Sequence, residues 1–109
     1  MSDIHEARIR QGQRIKAALE LAGYRLRDID RQFELPAGSA GRSLYEPNER
    51  AEKAIAKALI VHPKTLWVER YDQSTGRRLS PQPQANYDWP TPIRQRRRIG
   101  RQQVTGEVA

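Results

Sequence analysis

A chain of 109 residues has room for one domain, and with 37% hydrophobic and 30% charged residues part of it is expected to lie outside any core. The lack of cysteine excludes a disulfide framework and a cysteine-based zinc site, no apolar run approaches the ~20 residues that span a bilayer, and the start from Met1 to Glu6 has no signal-peptide character, so a soluble cytoplasmic protein is expected. A net charge of +7 points to a polyanionic partner, and the excess is uneven: thirteen Lys/Arg face eleven Asp/Glu up to Asp72, whereas seven arginines face two acids from Gln73 onward.

In chain order, Ile15, Ala18, Leu19 and Ala22 recur at helical spacing and predict a first helix that Gly23 ends. A second helix over 26–33 buries Leu26, Ile29 and Phe33 and turns Arg27, Asp28 and Arg31 outward. Glu34-Leu35-Pro36 stops it, because proline disfavours helical geometry in the residue before it. A third helix over 37–45 has Ala40, Ser43 and Leu44 as its inner side. Pro47 opens a fourth, with an apolar stripe of Ala51, Ala54, Ile55, Ala58 and Leu59. Pro63 starts a fifth that carries Leu66, Trp67 and Arg70, with Trp67 and Tyr71 assigned to the core. The expected architecture is all-α, a compact five-helix bundle over 1–71. Pro81, Pro83, Pro90 and Pro92, among glycines and arginines, mark 72–109 as an extended, basic tail.

The second and third helices, with a break of about three residues, have the layout of a helix-turn-helix, whose second helix enters the DNA major groove. Ile29, Leu35, Ala40 and Leu44 would hold the pair together. Small side chains surround Arg42, so the backbone can approach base edges closely, and Arg42 is the first candidate for a bidentate guanine contact. Gly38 and Ser39, placed on the exposed early turn, follow it. Arg25, Arg27 and Arg31 flank the second helix as candidates for phosphate contacts.

From about Arg14 to Tyr71 the chain resembles the Ner family, small DNA-binding regulators of Mu-like phages with bacterial relatives. Asp30-Arg31-Gln32-Phe33, Ala54-Ile55-Ala56-Lys57-Ala58-Leu59 and Pro63-Lys64-Thr65-Leu66-Trp67-Val68-Glu69-Arg70-Tyr71 carry the resemblance. It implies a lambda-repressor-like helical domain and operator binding, usually as a negative regulator of early phage transcription. Two positions depart from the pattern: Asp30, where the family tends to have a small residue, and Glu34, where it has a glycine at the turn. The acid near the turn lies close to the expected path of phosphates.

The expected partner is double-stranded DNA, with self-association on two half-sites an open possibility and no membrane role. The tail arginines Arg94, Arg96, Arg97 and Arg98 are candidate phosphate contacts, either as an arm along DNA or as a solvated run. The rival expectation is a protein-interaction scaffold whose tail binds RNA or an acidic partner. His5 and His62 lack neighbours at ligand spacing, and no nucleophile–base pattern or phosphate loop stands in the sequence, so neither metal, cofactor nor enzyme activity is expected.

Overall fold

The computed structural model describes the backbone of residues 2–88 and the side chains of residues 6–88. Five α-helices follow one another there: α1 (Ser2–Leu21), α2 (Leu26–Gln32), α3 (Ser39–Ser43), α4 (Glu49–Leu59) and α5 (Pro63–Leu66). Short 3-10 turns occupy Val68–Arg70 and Gln84–Tyr87.

The helix starts have local causes. The Arg25 N–H donates to the Asp28 carboxylate at 2.8 Å, which fixes the first turn of α2. Asn48 caps α4 by accepting the Ala51 N–H at 3.2 Å. That helix therefore opens at Glu49 rather than at Pro47, because Asn48 supplies the acceptor that proline cannot. Pro63 stands at the first position of α5, where its missing N–H costs nothing, and His62 Nδ1 accepts the Lys64 N–H at 3.0 Å.

Three helix ends, those of α1, α2 and α4, share one geometry and differ in residue. After α1 the chain turns through Gly23 at φ +94°, and the Tyr24 N–H returns to the Leu19 carbonyl at 2.8 Å. The same closure after α2 places Glu34 at φ +57°, with the Leu35 N–H on the Asp30 carbonyl at 2.8 Å. After α4 it places Ile60 at φ +58°, with the Val61 N–H on the Ala56 carbonyl at 3.0 Å. Only the first has the glycine that a left-handed residue favours; the other two hold side chains in a strained region.

Ile15, Leu19, Ile29, Ala40, Leu44, Ala54, Ile55 and Trp67 form the core, with Tyr24, Leu26, Phe33, Leu35, Ala58, Leu59 and Leu66 packed around it. The apolar stripes of α2, α3 and α4 point inward as their spacing predicts, while Ala22 of the α1 stripe is exposed. Trp67 is fully buried and lies under the Arg70 guanidinium, 4.9 Å from ring centroid to Cζ.

Residues 72–88, which the sequence reading gives to the extended tail, pack against the helices. Tyr71 pairs with Arg78 in an antiparallel bridge, and the Asp72 N–H donates to the Arg77 carbonyl at 2.8 Å, making a short hairpin. The Asp72 carboxylate accepts the Ser74 and Thr75 N–H groups at 2.9 and 3.1 Å, and Gly76 closes the loop at φ +78°. Beyond it, Gln82 donates to the Arg70 and Leu79 carbonyls at 3.0 and 2.8 Å, and Asn86 donates to the Glu69 carbonyl at 3.0 Å. Arg8 of α1 completes the attachment, donating to the carbonyls of Tyr45, Ala85, Asn86 and Asp88. These polar contacts do the anchoring that an apolar stripe would otherwise do, and therefore leave no periodic mark in the sequence.

Candidate nucleic-acid interface

The helix-turn-helix is α2, the turn at 33–38, and α3. Its angle is fixed from both sides. Ile29, Ala40 and Leu44 are buried between the helices, and Asp30 reaches across the turn to cap α3. One Asp30 oxygen accepts the Gly38 N–H at 2.8 Å and the other accepts the Ala40 N–H at 2.8 Å. The residue is 6% exposed, so burial would be costly were the carboxylate not bonded on both oxygens. Asp30 thus faces inward, away from the surface where a phosphate would pass.

With the cap supplied from α2, Gly38 takes the left-handed conformation at φ +87° with open space around its Cα. Arg42 lies four residues on, on the same helix face. Its side chain is 69% exposed and makes a loose ion pair to Glu46 at 3.8 Å. Ala37 and Gly38 leave the backbone beside it open. Exposed small residues beside one long cation suit close approach to a groove floor.

Ser39 differs from expectation. It is buried, and its hydroxyl donates to the Pro36 carbonyl at 2.6 Å, so its side chain closes the turn rather than standing on the exposed surface. Arg25, Arg27 and Arg31 are all exposed, with Arg27 and Arg31 one helical turn apart on α2. Arg94, Arg96, Arg97 and Arg98 lie outside the described residues.

A second polar cluster joins α4 to the segment that follows α5. Glu52 of α4 is fully buried, and both its oxygens are engaged. Arg70 Nη1 donates to Oε2 at 3.0 Å, Arg78 donates to Oε1 and Oε2 at 3.0 and 3.1 Å, and the Tyr71 hydroxyl donates to Oε1 at 2.8 Å. The Asn48 N–H adds a fifth bond at 2.7 Å. Burial would raise the Glu52 carboxyl, but the Arg78 hydrogen bonds, the Arg70 charge and the Asn48 and Tyr71 donors together hold it below the usual value. Burial and the Glu52 bond push the Tyr71 hydroxyl well up.

Sequence reasoning missed Asp30 as a cap and the whole Glu52 cluster. The only available signal for the cluster was an acid, Glu52, inside the otherwise apolar face of α4, since a buried charge requires partners. The hairpin had a local signal in the turn residues Asp72, Ser74 and Gly76, which the proline-rich surroundings obscured.

Among the described residues no helix is long and apolar enough to cross a membrane, and no cluster of His, Asp or Glu has the makings of a metal site. No curated protein and no solved structure matches the chain significantly. Residues 11–83, about two thirds of the length, match the family described as winged helix-turn-helix DNA-binding. The chain belongs to that family of DNA-binding domains.

Proposed function

We propose that this protein is a sequence-specific regulator of transcription that binds double-stranded DNA and represses by occupying its operator. It works in the cytoplasm, without a cofactor and without catalysis. The Ner-like motifs in α2, α4 and the segment from Pro63 to Tyr71 support a phage or prophage regulator with a lambda-repressor-like arrangement of helices. The observation that carries the reading is the α3 surface: a helix pinned by Asp30, presenting Arg42 beside the open backbone of Gly38.

In this reading α3 enters the major groove and Arg42 contacts a guanine edge. Arg25, Arg27 and Arg31 hold the phosphates that flank it. The Tyr71–Arg78 hairpin serves as the wing, with exposed Arg77 at its edge. Arg8 ties the Asp88 carbonyl to the Tyr45 carbonyl, so Asp88 lies close to the end of α3. From there Arg94 is six residues away, a reach of about 20 Å when extended, enough for Arg94–Arg101 to act as an arm along neighbouring phosphates.

The test is selection of bound duplexes from a random pool with the full chain. A defined motif is expected, with half-sites about one helical turn apart if two copies bind together. Binding that shows no sequence preference and disappears when the tail arginines are replaced would overturn the reading.

A further inference from the structure

A groove lies between the end of α2 and the outer face of α4, on a side where Arg42 does not stand. It contains a recess of about 250 Å³, floored by Phe33, Leu35 and Ala54 and rimmed by Arg50, Lys53 and Lys57. Positions 50, 53, 54 and 57 fall at i, i+3, i+4 and i+7 of α4, so three cations line one edge at helical spacing. The methyl group of Ala54 leaves the hollow between them. Two acidic residues stand close: Glu49 pairs with Lys53 at 3.0 Å, and the Glu34 carbonyl accepts from Arg50 at 3.1 Å.

We propose that this groove docks an acidic, amphipathic segment of a partner protein, with one apolar side chain in the recess and carboxylates on the rim. The volume lies below the roughly 300–1,000 Å³ of small-molecule sites, and suits a single leucine or phenylalanine anchor. An apolar floor inside a cationic rim complements a helix that carries acids around an apolar residue. A DNA phosphate would gain nothing from the half-buried Phe33 and Leu35. The chain's own segment 89–109 carries five arginines against one acid, Glu107, and is repelled by the rim. A protein bound to its operator would in this way recruit a partner through a face separate from α3.

The probe is a short fluorescein-labelled synthetic helical peptide with one leucine and glutamates three and four residues to either side of it. Anisotropy with the full chain should show saturable binding, and amide NMR shifts should concentrate at Phe33, Leu35, Ala54 and Lys57. The double substitution Lys53→Glu/Lys57→Glu should weaken binding about tenfold or more, as should serine for leucine in the peptide. Replacing Arg94, Arg96, Arg97, Arg98 and Arg101 by serine should leave it unchanged. Circular dichroism should show the double variant folded, since both lysines are exposed. The proposal is overturned if binding survives the lysine reversal or follows the tail arginines. It is equally overturned if the lysine variant loses affinity only for duplex DNA, which makes the rim a phosphate contact. A dimer that the lysine variant dissociates would assign the groove to a second copy instead, and would overturn it as well.

Discussion

Arg78 donates to both carboxylate oxygens of Glu52, from Nε at 3.0 Å and from Nη2 at 3.1 Å, and this pair fastens the hairpin to the fourth helix. Arg70 approaches the same carboxylate from the 3-10 turn at 3.0 Å. One acid therefore bridges two arginines from different segments, and the attachment of the hairpin to the fourth helix depends on it.

Glu52→Gln should lower stability by about 3–5 kcal/mol, because two arginines then lose the only carboxylate they share. Urea unfolding followed by circular dichroism measures the loss. The effect of pH follows from the depressed folded value of the Glu52 carboxyl. Its stabilisation is complete above the unfolded value, near 4.3, and is lost as pH falls through the folded value. The wild type should lose stability more steeply than the variant below about pH 4. Equal slopes in that range would show that Glu52 is not the linked group.

Arg42→Ala should cost roughly 1–3 kcal/mol of specific binding and relax the preference at one base pair. The melting temperature should move little, since an exposed pair at 3.8 Å contributes only a few tenths of a kcal/mol. Unchanged binding to the selected duplex would remove Arg42 from the recognition surface.

Asp30→Asn should act differently, on both stability and binding. The amide keeps one acceptor for the Gly38 or Ala40 N–H and turns a donor toward the other, at a cost of about 1–3 kcal/mol. Operator affinity should fall with an unchanged base preference, because Asp30 positions α3 and touches no base. A selection experiment that returns a new motif for the variant would contradict this role.

Glu34→Gly and Ile60→Gly should each stabilise the fold by about 1 kcal/mol, by relieving a left-handed backbone at φ +57° and +58°. Both side chains are exposed, so little packing is sacrificed in exchange. Thermal melts should rise by about 4 °C per site. A fall would mean that the exposed side chain makes a contribution that outweighs the strain.

Serine at Arg94, Arg96, Arg97, Arg98 and Arg101 should weaken binding to all duplexes by a similar factor. The slope of log affinity against log salt should drop by about 0.9 for each phosphate that an arginine no longer neutralises. The ranking of operator variants should stay the same. A reshuffled ranking would make the segment a base-reading arm.

The sequence alone determined the helical bundle, the helix-turn-helix spacing, the buried Trp67 and the exposure of Arg42. All of these depend on contacts within one or two turns of helix, where period and capping residues leave a direct trace. Tertiary structure decided the rest. Asp30 gave no sign of its part as a cap until its bonds to Gly38 and Ala40 turned it inward, and Ser39 looked exposed until Pro36 took its hydroxyl proton into a hydrogen bond. Arg78 looked like part of a free tail until Glu52 claimed it, and Arg8 gave no sign of the carbonyls of Ala85 and Asn86. The reason is physical. An apolar residue is buried against any apolar neighbour and its position can be inferred from spacing, whereas a charged or hydroxyl group is buried only where a specific partner waits, and that partner stands up to 80 residues away.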